Sequence, residues 1–196
     1  PEKGGRRLKG ASEEIMKKRR WPLIVAGLLA VVLAGTYLRA QYFGPMTCPA
    51  SEEGMVQYAE DMFDRARYGR EITVLKTARE GRAWAMLYEE GTTRDRYLMT
   101  FESRLFGLRL RQTGMNTFSE AGRLYRSGSW QTGTLLGSKC VVEIYGDNRD
   151  GQIESYVLAD APQAARENLE ADYILDLYIL DGVESLPKEL TQIPST

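Results

Sequence analysis

Eighteen consecutive residues, WPLIVAGLLAVVLAGTYL from Trp21 to Leu38, are uncharged and mostly apolar, bounded by Arg20 and Arg39. As an α-helix this run rises about 27 Å, close to the roughly 30 Å hydrocarbon core of a bilayer. Its apolar side chains surround the helix instead of lining one stripe, so lipid satisfies it better than a half-wetted protein surface would. The helical backbone bonds internally and leaves no bare amides in hydrocarbon. Trp21, Tyr37 and Tyr42 fall at positions suited to the two interfaces. Pro22 stands near the expected helix start, where its missing donor costs little.

Charge gives this segment an orientation. The first twenty residues carry a formal charge of +5 and residues 45–196 carry −7, an asymmetry hidden in the total of −1. Lys17, Lys18, Arg19 and Arg20 directly precede the apolar run. The excess of basic residues on cytoplasmic flanks places the N-terminus in the cytoplasm and the rest of the chain outside, in the cell membrane as a single-pass protein. A removable signal peptide would share these features but needs small residues at its cleavage site, which Leu38-Arg39-Ala40 does not supply. The residues before Cys48 also lack the pattern of a lipid-attachment signal. The expected organisation is therefore a basic tail (1–20), a transmembrane helix with its interface (21–42), a linker (43–50), an extracytoplasmic domain (51–190) and an irregular tail (191–196).

Within the outer domain, Ser51 is placed to cap a helix running to about Arg67, with Glu52 and Glu53 in its first turn and Met55, Tyr58, Ala59, Met62 and Phe63 on one face. Short alternating segments follow over residues 70–112, where both faces of RAWAMLYEE are apolar enough to be covered. Gly107 reads as a bulge or bend, and Arg109 and Arg111 as the outer face of a half-buried strand. Five glycines between 112 and 139 predict short strands with loops. Residues 139–160 read as a hairpin turning at GDNRDG, 163–171 as a short helix, and YILDLYIL at 173–180 as the last strand. The fold class is α+β: one N-terminal transmembrane helix, then a small domain with a mainly antiparallel sheet and one or two helices.

The chemistry is bounded by what is missing. The chain has no histidine, which removes Ser-His-acid and Cys-His catalysis and imidazole metal ligands. Its two cysteines, Cys48 and Cys140, would lie in an oxidising compartment and could close a long loop as a disulfide; free or intermolecular thiols are the alternative. The run Asp147 to Glu154 offers oxygen ligands but lacks the spacing and flanking helices of a calcium loop, so a polar turn is the main reading and weak calcium binding the lesser one. Asp172, Asp176, Asp181 and Glu184 read as a solvated acidic face; Trp84, Trp130, Tyr88, Tyr125, Tyr145 and Tyr156 read as core, with a sugar- or peptide-binding groove the lesser reading. Arg104, Arg109, Arg111, Arg123 and Arg126 form a basic region able to meet anionic lipid or an acidic partner, with nucleic acid disfavoured by the acidic total. No catalytic constellation, metal site or cofactor motif is recognisable.

These features predict a membrane-tethered interaction or assembly module, accessory to another membrane or envelope protein and in contact with the lipid bilayer. An outer-surface enzyme using a carboxylate or serine, and a structural accessory associating through its membrane helix, are the alternatives.

Overall fold

The computed structural model describes residues 5–62, 71–134, 137–183 and 185–195. The chain divides into two compact units, Pro1–Pro45 and Met46–Thr196. The first is a single helix, α1, Gly5–Phe43. It begins well before the apolar run, because residues 5–20 contain no proline to stop it. Pro22 is therefore inside the helix rather than at its start, and removes one backbone hydrogen bond there. Trp21–Ala40 has a mean hydropathy of 2.0 and none of it is buried by the protein, so the segment is long and apolar enough to cross a membrane.

The second unit is dominated by antiparallel strands. A five-stranded sheet contains β1 (Thr47–Pro49), β2 (Ile72–Glu80), β3 (Ala83–Glu90), β4 (Arg96–Arg104) and β5 (Arg109–Phe118), in the order β1-β5-β4-β3-β2. Helix α2, Glu52–Met62, packs on one face of it. The Ser51 hydroxyl accepts the Gly54 amide at 3.0 Å, the capping bond expected from the sequence, while residues 63–67 of the predicted helix lie outside the described residues. Met55 and Ala59 of α2 meet Cys48, Met86, Tyr88, Met99, Phe101 and Leu110.

The opposite face of this sheet buries Ala85, Leu87, Leu98 and Phe118 against Tyr145 and Leu175 of a second sheet. β3 is thus covered on both sides, as its unbroken apolar composition requires. The second sheet has the order β10-β7-β6, from β6 (Arg123–Thr134), β7 (Gly137–Asp147) and β10 (Tyr173–Asp181). Its far face contributes Leu124, Cys140, Val142, Ile144, Ile174 and Leu180 to a third cluster. The partner there is a third sheet, ordered β11-β8-β9, from β8 (Ile153–Leu158), β9 (Ala161–Arg166) and β11 (Leu190–Pro194). The order of layers is helix, sheet, sheet, sheet.

Several expectations are corrected by this arrangement. β7 and β8 do not form a hairpin: β7 is paired along both edges by β6 and β10, so the chain leaving it must enter another sheet. Residues 161–166 are strand, not helix, with Ala161 and Ala164 buried and Pro162 tolerated because β9 is an edge. The region 112–139 contains two long strands, in which Gly128 gives room to the Leu186 side chain instead of breaking the ladder. YILDLYIL is not the last strand, since β11 pairs with β8 and orders residues 191–194 of the predicted irregular tail. Gly107 belongs to the β4–β5 turn, with φ +89, so of the two readings it is the bend and not the bulge.

Candidate interaction surface at the β4–β5 turn

The turn between β4 and β5 has an unusual backbone. Leu105, Phe106 and Gly107 take φ values of +49, +56 and +89 in succession, and the Leu108 amide donates to the Leu105 carbonyl at 3.1 Å to close it. Glycine adopts such angles freely, whereas a residue with a Cβ loses about 1–2 kcal/mol. The geometry drives Phe106 fully into solvent, at 103% relative exposure, with Leu108 at 67%. A fully exposed aromatic ring on a left-handed backbone makes this turn the candidate contact surface.

The strands behind the turn supply charge. Arg104 of β4 lies directly opposite Arg109 of β5, and Glu102 opposite Arg111. Like charges facing one another weaken a ladder. Glu102, 4% exposed, offsets this by pairing with Arg104 and, at 2.8 Å, with Arg82. The Arg109 guanidinium also donates to the Thr47 hydroxyl of β1 at 3.1 Å. Arg82 and Arg104 thus share the Glu102 carboxylate, with Arg109 and Arg111 on the neighbouring strand.

The five predicted arginines therefore separate. Arg104, Arg109 and Arg111 share the face of the first sheet that meets the second, in half-buried positions, so they are not the outer face that the alternation with leucine suggested. Arg123 and Arg126 lie on β6. Arg123 is bonded to Glu120 at 2.5 Å and lies over the Tyr125 ring, while Arg126 is half-buried with its Nη1 making no hydrogen bond among the described residues. Lys17, Lys18, Arg19 and Arg20 stand on the helical backbone of α1, their side chains outside the described set.

Cys48 and Cys140 are both free and buried, each in a different apolar cluster, so the expected disulfide is replaced by two thiols acting as small core groups. Burial pushes the Cys48 thiol up to about 11, against a smaller lowering by Arg109.

Several polar groups of the second sheet are internal. Glu143 lies between the first two sheets, and burial raises its carboxyl to about 7 despite hydrogen bonds from Ser127 and Ser129. The adjacent cavity, bordered by Thr100, Glu102, Thr113 and Ser129, measures about 10 Å³, the space of one water and not of a substrate. Asp147, fully buried, joins Arg96 at 2.5 Å and Arg149 at 2.7 Å; Asn148 bonds the backbone of Ile153 and Leu169. The head of the loop compared with a calcium site is thus committed to internal bonds. Asp176, expected on a solvated face, accepts hydrogen bonds from Tyr156 and Arg166, both at 2.6 Å, and Tyr178 joins them through the Tyr156 hydroxyl.

No protein family matches this chain, and neither a curated protein nor a solved structure matches it. Sequence reasoning missed Phe106, whose backbone angles have no signal in the run Leu-Phe-Gly-Leu, and Glu143, for which a lone carboxylate inside VVEIY was a usable signal.

Proposed function

We propose that this protein is a membrane-tethered interaction module, in which α1 crosses the bilayer with its basic end in the cytoplasm and the layered β domain works outside, accessory to another membrane or envelope protein. The observation that carries the reading is Phe106: fully exposed, on a left-handed backbone, between opposed arginines. Aromatic and arginine side chains dominate the energetics of protein contacts. Three residues separate α1 from β1, so the domain follows directly on the apolar helix in the chain.

Photo-crosslinking in intact membranes tests this. A photoreactive phenylalanine analogue at position 106 is expected to capture protein, while the same probe at exposed Gln163 captures little. Equal capture at both positions, or none at 106, overturns the reading.

A further inference from the structure

We infer that this chain dimerises with a second copy of itself through the free edge of β6, which pairs antiparallel with the same edge of the other copy about a two-fold axis at Gly128. β6 has β7 along one side only. The Leu124 amide and carbonyl both bond the Gln192 side-chain amide, at 3.1 Å each, so the backbone groups of Leu124 point away from β7. Backbone direction alternates along a strand, so those of Arg126, Gly128 and Trp130 point the same way. None of these three backbones is bonded on that side among the described residues, and Gly128 is exposed. A row of unpaired backbone groups is a template for a further strand.

The other outer strands each carry a device against such pairing. β1 has three residues and ends on Pro49, β9 contains Pro162, and β11 ends on Pro194. The register of β2 shifts between Val74 and Lys76, and the Lys76 ammonium donates to the Tyr173 carbonyl of β10. β6 has neither a proline nor a register shift from Leu124 to Trp130. Its pairable stretch is bounded by the Gln192 amide at one end and by the register shift after Gln131 at the other.

The sequence of that stretch selects a second copy as the occupant. An axis at Gly128 sets residues 126, 128 and 130 of one copy against the same set in the other, so that Gly128 faces Gly128 and each Arg126 faces a Trp130. Each facing pair exchanges two backbone hydrogen bonds, and no charge faces its like, as it would with the axis at Arg126. Trp130, expected in the core, is 42% exposed and shares a face of β6 with Arg126, whose Nη1 makes no hydrogen bond among the described residues. Across the axis the indole meets that guanidinium as a cation–π pair. The half-buried Leu186 lies where a Gly128 Cβ would stand, so the two Leu186 side chains meet at the axis. Ser127 and Ser129 point to the opposite face, held by Glu143, and the pairing leaves them undisturbed. The β4–β5 turn takes no part, so this dimer goes beyond the reading above and does not depend on it.

The test uses the full chain in its membrane, co-expressed in two differently tagged forms. With Arg126→Cys in one form and Trp130→Cys in the other, mild oxidation is expected to join both tags, because facing residues of such a ladder lie about 5.5 Å apart at Cα, within reach of a disulfide. With Arg126→Cys in both forms the two sites stand about 14 Å apart along the ladder and should give little of that product. The buried Cys48 and Cys140 stay in every form as a common background. Without added cysteines, Trp130→Lys sets a cation against Arg126 and is expected to lower co-isolation of the two tags about tenfold, whereas Trp130→Glu should keep it. Residue 130 is exposed on an outer strand, so both variants keep the fold. Equal disulfide yields from the two cysteine arrangements, no difference between the lysine and glutamate variants, or no co-isolation of the tags overturns the dimer. None of these results bears on capture at position 106, which tests the turn separately.

Discussion

The Glu143 carboxylate accepts a hydrogen bond from the Ser127 hydroxyl at 2.9 Å, across the β6–β7 ladder, in a position only 3% exposed. A second bond from Ser129, at 3.4 Å, is longer. Neither replaces the hydration that a free carboxylate would have, so burial raises its pKa to about 7 from an ordinary 4.5.

The sign of the resulting pH dependence follows. Between pH 4.5 and 7 the folded protein holds the Glu143 proton more tightly than the unfolded chain, so this group's contribution to stability declines as pH rises through that window and then levels off. The loss amounts to about 3 kcal/mol at one pKa unit per 1.4 kcal/mol. Glu143→Gln keeps the shape and removes the charge. Urea unfolding should find the variant more stable than the parent by about 2–3 kcal/mol at pH 8 and close to it at pH 4. A difference independent of pH would place the proton elsewhere.

Asp147 is predicted to behave in the opposite way. Burial alone would raise its carboxyl, but hydrogen bonds and charge from Arg149, aided by Arg96, hold it below the ordinary value. Its stabilising contribution is present at neutral pH and fades as pH falls through the lowered pKa. Asp147→Ala removes one partner of Arg96, which keeps Glu89 at 3.2 Å, and the partner of the half-exposed Arg149. A loss of about 1–3 kcal/mol is expected in denaturant unfolding at pH 7, and no loss would show the group to be solvated.

How far the sequence reached depends on whether local pattern or distant pairing decides each element. β3 and β10 were legible because their apolar residues are sufficient to make them strands wherever they pair. α2 was legible because Ser51, Glu52 and Glu53 mark its start. The partnership of β7 was not: its edges are claimed by β6 and by β10, and β10 begins 26 residues after β7 ends. Residues 161–166 failed for a related reason, since alanine, glutamine and arginine favour helix and only pairing with β8 makes them strand. At the candidate surface the arginines were visible, but which of them share a face depends on the β4–β5 register. Phe106 was invisible because its left-handed backbone opposes every local preference of its residue type.

The free cysteines give a third prediction. Both are buried, and burial raises both thiols, so the reactive thiolate is scarce and shielded. Maleimide labelling of the native protein at pH 7 should be slow at both sites, and addition of denaturant should reveal two equivalents of thiol without a reductant. Recovery of thiol only after reduction would restore the Cys48–Cys140 bridge that the sequence suggested.

Phe106→Gly separates folding from function. Phe106 has φ +56 and full exposure, so replacing it relieves left-handed strain without removing internal packing. The relief is about 1–2 kcal/mol, part of which is offset by the greater freedom of glycine in the unfolded chain. The expected net effect is a gain of about 0.5–1 kcal/mol in urea unfolding. Capture of protein by a photoreactive probe at exposed Leu108, in the same turn, should fall at the same time, because the ring proposed to anchor the contact is gone. A residue that lowers stability where it stands and raises association has been kept for the contact; if Phe106→Gly destabilises the domain, the ring is serving the fold instead, and the case for the turn as a contact surface falls with it.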